Sequence, residues 1–158
     1  MNSSPSAAFR RVILSVVTVF VATAPLARHA FAGDDPELTL QAGEHKVVFK
    51  RSDLLKRKDV ESLTIDKDPA YPGQKMQYKA VPASALFASM KIADDAVIQF
   101  KCLDGFSAPI SKERLLNTSA AMSLAFIAIE EADKPWPALK PGGASAGPFY
   151  LVWPKPEP

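Results

Sequence analysis

Ala96-Val-Ile-Gln-Phe-Lys-Cys-Leu-Asp-Gly-Phe106 is the stretch that decides the fold class. Ile98, Phe100 and Cys102 alternate with Gln99 and Lys101, which gives a strand over 96–103 one apolar face and one polar face. Asp104-Gly105 is a hairpin turn signal. Phe106 to Ile110 is the return strand, and Pro109 marks it as an edge or a strand end. An antiparallel hairpin therefore sits in the middle of the chain. On this alternation Cys102 is expected to face a core as a small buried hydrophobe.

Further strands are expected on both sides. Leu38 and Leu40 alternate with polar neighbours, and His45 to Lys50 follows after a turn at 41–44. Val60 to Ile65, Met76 to Val81, Met122 to Ile129 and Phe149 to Trp153 complete the set. Three short helices are expected between them. Ser52 is the N-cap of one over Asp53 to Arg57, Pro82 opens the second, and Ser111 caps the third, which carries Leu115 and Leu116. Asp66 to Gln74 is a loop broken by Pro69, Pro72 and Gly73. Glu130 to Pro148 is a long structured loop anchored by Trp136 and Leu139. Strands and short helices do not alternate as β-α-β-α, so the class is α+β with a mixed, mostly antiparallel sheet.

Residues 1–32 are expected to be a signal peptide. Arg10-Arg11 is followed by a mostly apolar run from Val12 to Ala27 and by Ala30-Phe31-Ala32 as a small-x-small cleavage site. The run is too short for a membrane span and is interrupted by Pro25. General secretion and twin-arginine export both fit this segment. The expected location is periplasmic or secreted, with no stable membrane span after cleavage and one domain over 33–158. Removing Arg10, Arg11 and Arg28 from the 19 Lys and Arg leaves 16 against 17 Asp and Glu, about −1. That balance gives no support to nucleic-acid binding. One Cys and, outside the signal, one His do not make a protein-only zinc site, and a covalent haem has no C-x-x-C-H motif.

The order of segments from about Phe49 to Pro154 resembles the molybdopterin-binding domain of sulfite-oxidase-type oxidoreductases. Phe49-x-x-x-Asp53-Leu54-Leu55 is similar to that family's entry helix. Tyr78-Lys-Ala-Val-Pro-Ala-Ser-Ala-Leu86 is similar to its "W-x-G-V-P-L-x-x-L" strand and helix. Val97-Ile-Gln-Phe100 with Asp104-Gly105-Phe106 is similar to its hairpin, and Phe126 to Ile129 with Gly142 to Pro154 to its closing part. Pro135-Trp136-Pro137 and Ser145 to Trp153 also resemble a subgroup of exported proteins in which such a domain accompanies a c-type cytochrome. The resemblance implies a sulfite-oxidase-like fold and a periplasmic redox neighbourhood.

The chain departs from that pattern where the chemistry would lie. Asp66-Lys67-Asp68 stands where the metal-binding cysteine is expected. Tyr78 replaces a tryptophan, Ala80 a glycine, and Phe149 or Tyr150 an arginine. A hard aspartate is a poor substitute for a soft thiolate on molybdenum, and only Arg51, Arg57 and Arg114 remain outside the signal to pair with phosphates. The implied function is an accessory or binding protein without catalytic residues, cofactor-free, docking a c-type cytochrome or an oxidoreductase subunit. The alternative is a molybdopterin-dependent oxidoreductase. For that alternative the cofactor-binding candidates are Cys102, Asp104, Arg114, Gly142 and Gly143. A third reading has the Gly142 to Gly147 loop cradling an anion with its N–H groups. Asp66, Asp68 and Tyr71 are expected to be a solvated surface, as is the basic cluster from Lys50 to Lys58.

Overall fold

The antiparallel hairpin at 97–111 is formed and makes one edge of the first of two sheets. The computed structural model describes residues 17–21, 35–119 and 121–155. In chain order these are β1 (Val17–Val21), β2 (Glu37–Ala42), β3 (His45–Lys50), α1 (Arg51–Leu55), β4 (Glu61–Ile65), β5 (Met76–Pro82), α2 (Ala83–Leu86), β6 (Val97–Lys101), β7 (Ser107–Ser111), α3 (Lys112–Leu116), β8 (Phe126–Ile129) and β9 (Phe149–Val152). One sheet runs β3-β2-β1-β6-β7 and the other β4-β5-β8-β9. Every pairing is antiparallel except β1 with β6. The class is α+β with mostly antiparallel sheets and short helices.

The main core lies between the sheets. Leu38, Leu40 and Ile98 come from the first sheet, Val81, Ile127 and Ile129 from the second, and Leu54, Leu86 and Leu115 from the three helices. The second sheet is covered on its other face too, where Tyr71, Tyr78, Phe126, Ala128 and Val152 form a separate cluster. This explains why Phe126-Ile-Ala-Ile129 is apolar at every position: β8 is buried on both faces. Pro109 lies on β7, the edge of the first sheet, where a missing N–H leaves no ladder bond unmade.

Local details correct three expectations. Helix α1 begins at Arg51, and Lys50 occupies its N-cap without a side-chain cap. Asp35 supplies the missing acceptor from outside the helix, taking the Ser52 N–H at 3.1 Å. The strand expected over 122–129 starts only at Phe126, and Met122 is exposed. Cys102 is exposed rather than buried. Strand β6 ends at Lys101, and the Cys102 N–H already belongs to the turn, donating to the Phe106 carbonyl at 2.8 Å. The face that Ile98 and Phe100 share opens there onto a cleft, so the side chain stays exposed. Ser111 caps α3 as expected, accepting from the Arg114 N–H at 3.3 Å.

Strand β1 lies inside the segment read as an export signal. It occupies the centre of the first sheet, with Val19 opposite Leu40 on one side and Phe100 on the other. Residues 1–16 and 22–34, which carry the arginine pair and the cleavage site, lie outside the described residues. Among the described residues no helix is long and apolar enough to cross a membrane.

Leu54 is fully buried while Leu55 is only half-buried. Leu54→Ala is expected to lower unfolding free energy by about 2–5 kcal/mol, and Leu55→Ala by clearly less. Urea denaturation of the two variants measures the difference.

Candidate functional site

Asp68 is the least expected residue of the structure. Read as a solvated loop carboxyl, it is 2% exposed. Pro69, Pro72 and Gly73 fold the 66–75 loop back over the second sheet, and the loop carries Asp68 in with it. Its Oδ2 accepts the Tyr78 hydroxyl at 2.6 Å. Its Oδ1 accepts the Tyr150 hydroxyl at 3.1 Å and the Ala70 N–H at 2.8 Å. Both carboxyl oxygens are engaged, as a buried carboxyl group requires. Asp66 is different: it is exposed and pairs with Lys75 at 3.1 Å.

The two tyrosines reach Asp68 from β5 and β9, which flank β8. Ala128 of β8 sits between Ala80 and Tyr150 in the ladder, and its small side chain leaves room for the rings. Trp136 closes the cluster, edge-on to Tyr78 at 4.9 Å and to Tyr150 at 6.5 Å between ring centres. Burial first, and then Asp68 itself, push both tyrosine hydroxyls well above their ordinary pKa. Asp68, Tyr78 and Tyr150, from one loop and two strands, thus meet in one hydrogen-bonded group.

The same cluster fixes the long loop. The Tyr71 hydroxyl accepts the Ala146 N–H at 2.9 Å. Glu130 Oε1 accepts the Trp136 N–H and the Ser145 hydroxyl, each at 2.7 Å. Trp136 is an anchor as expected. Leu139 is not; it is 52% exposed.

Between the sheets this loop roofs a cleft of about 740 Å³, within the size range of small-ligand sites. Phe100 and Ile110 form one wall, and Ile127, Phe149 and Leu151 the other. Leu103 and Leu139 stand at the cleft as exposed apolar side chains, and Phe106 on the same hairpin is 63% exposed. Trp153 also lines the cleft, and its indole N–H is buried without a protein partner.

The candidate cofactor residues gather around this cleft unevenly. Cys102 and Asp104 line it. The Arg114 guanidinium lies 5.0 Å over the ring of Trp153, which lines the cleft. Gly142 and Gly143 are exposed, in a turn between the lining residues Lys140 and Ala144. The Gly143 N–H donates to the Lys140 carbonyl and the Gly147 N–H to Ser145 Oγ, so these groups close turns and do not form an anion cradle. Asp104 accepts the Phe106 N–H at 2.9 Å, a turn-closing bond.

Partial burial and then Asp104 push the Cys102 thiol up, so it is protonated at neutral pH and a weak ligand or nucleophile. Arg57 is held by Asp59 at 2.6 Å and Arg51 by Asp35 at 3.6 Å. Among the described residues no group of three or more His, Cys, Asp or Glu could hold a metal ion. No family model, curated protein or solved structure matches this chain.

The tyrosine shifts set a pH dependence. A hydroxyl whose folded pKa is raised holds its proton more tightly than in the unfolded chain, so its contribution is complete below the unfolded value of 10.0 and is lost as pH rises beyond it. The urea midpoint is expected to fall above about pH 10, and Tyr78→Phe is expected to flatten that fall. Urea titrations between neutral and strongly alkaline pH measure both curves.

Cys102 is exposed but protonated, so its alkylation by iodoacetamide is expected to be slow at neutral pH and to accelerate through and above its ordinary value of 9.0. Mass spectrometry against time follows the reaction.

Proposed function

We propose that this chain is an exported, cofactor-free binding protein of a periplasmic redox system, with a sulfite-oxidase-like fold whose metal centre has been replaced. Its partner is a c-type cytochrome or an oxidoreductase subunit. The observation that carries the binding role is the cleft, whose walls are apolar and whose mouth exposes Leu103 and Leu139, with the exposed Phe106 in the same hairpin turn as Leu103. Exposed apolar groups concentrated at one opening favour association with a partner.

Molybdopterin does not fit the residues present. The stretch that would supply the metal ligand offers Asp68, and both of its oxygens are bound by tyrosine hydroxyls and a backbone N–H. Freeing it would leave buried hydroxyls unpaired, at about 1–3 kcal/mol each. Cys102 sits on the far side of the second sheet's core, in the cleft, with its proton retained. The arginines are committed to Asp35, to Asp59 and to the Trp153 ring. The signal-like N-terminus and the subgroup likeness support the periplasmic setting.

Chain isolated from the periplasm of a molybdenum-supplied host is expected to carry no stoichiometric molybdenum and no pterin fluorescence. Near-stoichiometric metal, lost in Cys102→Ala, would instead establish the oxidoreductase reading. Capture of a cytochrome or oxidoreductase is expected to drop at least about tenfold in Phe106→Asp and in Leu139→Asp, the loss of one anchoring contact of about 1.4 kcal/mol or more. Their urea midpoints should stay near wild type, because both side chains are more than half exposed.

A further inference from the structure

The centre of the first sheet is formed by a strand from the segment read as a removable signal. Strand β1 pairs with β2 over Val17 to Val21 and with β6 over Val17 to Phe20. No other pairing joins β2 to β6 among the described residues. Taking β1 away would leave a gap of about 9.6 Å, two strand spacings, which admits one extended chain. Both borders of the gap would present unpaired N–H and C=O groups. The borders are apolar as well: Leu38, Leu40 and Ile98 are each at most 1% exposed with the strand in place.

We propose that this gap is an acceptor slot for an extended segment of the partner protein, which docks by adding a strand between β2 and β6. The proposal rests on the reading of residues 1–32 as a signal that is removed. The leader strand shows what the occupant needs. It runs antiparallel to β2 and parallel to β6. Val17, Val19 and Val21 hold the register positions of Ile98, Leu40 and Leu38, so the partner segment carries uncharged β-branched or aromatic residues at alternate positions. Backbone bonds supply affinity along both borders, and the apolar alternation supplies register.

The slot and the cleft are continuous. Leu38, opposite Val21, and Phe100 and Lys101, opposite Val19 and Phe20, all line the cleft. A segment leaving the slot at the Val21 end therefore enters the cleft mouth near Leu103 and Leu139. The partner reading and the strand slot describe one continuous surface.

The test uses the chain as it emerges from an exporting host expressing the full sequence. Intact mass gives its first residue, expected at Gly33. The probe is a synthetic peptide of residues 15–23 with terminal lysines for solubility, and the control is the same peptide with Val19→Pro, which cannot donate in a central ladder. At about ten times its Kd the probe is expected to slow amide exchange in β2 and β6 about tenfold, and the control to have no effect. If the processed chain is unfolded by circular dichroism, the probe is expected to refold it. A chain that retains Met1 would overturn the export reading, and with it the slot, which its own strand would then fill. A processed chain whose β2 and β6 segments ignore the probe would overturn the slot alone. A dimer already protected at β2 and β6 would give the slot to a second copy and overturn the assignment to a partner.

Discussion

The buried carboxyl of Asp68 is the constraint on which the outer half of the structure depends. It joins a loop, two strands and, through the aromatic cluster, a second loop. Tyr78 comes from β5, Tyr150 from β9, and Trp136 packs against both rings. A carboxyl group so deeply placed is tolerable only with its oxygens occupied. Each hydroxyl donated to it contributes about 1.5–3 kcal/mol if the group is charged. Losing any member leaves the others buried without partners, so the group behaves as a unit.

This constraint reaches the cleft through the loop. Tyr71 and Glu130 hold the segment at 145–147, and that segment roofs the cleft. The aromatic face of the second sheet thus sets the position of the cleft roof on its other side. Whatever enters the cleft meets a preformed wall, so less ordering free energy is lost on binding. Asp68 is thus a structural tie between its loop and the second sheet.

Much of the fold was legible. Ile98 and Phe100 announced β6 by alternation, Pro109 marked a true edge strand, and Ser111 capped its helix. Phe126 and Ala128 share the face of β8 that belongs to the aromatic cluster. Cys102 was misread because alternation sets a face and not a depth, and beyond Ile98 that face opens onto the cleft. The role of Asp68 was not legible, since its tyrosine partners lie 10 and 82 residues away. A hint existed: Tyr78 and Ala80 alternate on β5, and Ala128 leaves space beside them. Val17 to Val21 shows a different limit. A short β-branched apolar run satisfies both the hydrophobic stretch of a signal and a strand at the centre of a sheet, and periodicity does not separate the two.

A double-mutant cycle with Asp68→Asn and Tyr78→Phe tests the central claim most directly, because it isolates the coupling between the carboxyl and its closest hydroxyl. Urea unfolding of the wild type, both single variants and the double variant supplies the four free energies. A closed structural group predicts a coupling of about 1.5–3 kcal/mol. Additivity within about 0.5 kcal/mol would contradict the account and return Asp68 to the set of groups free to hold a ligand.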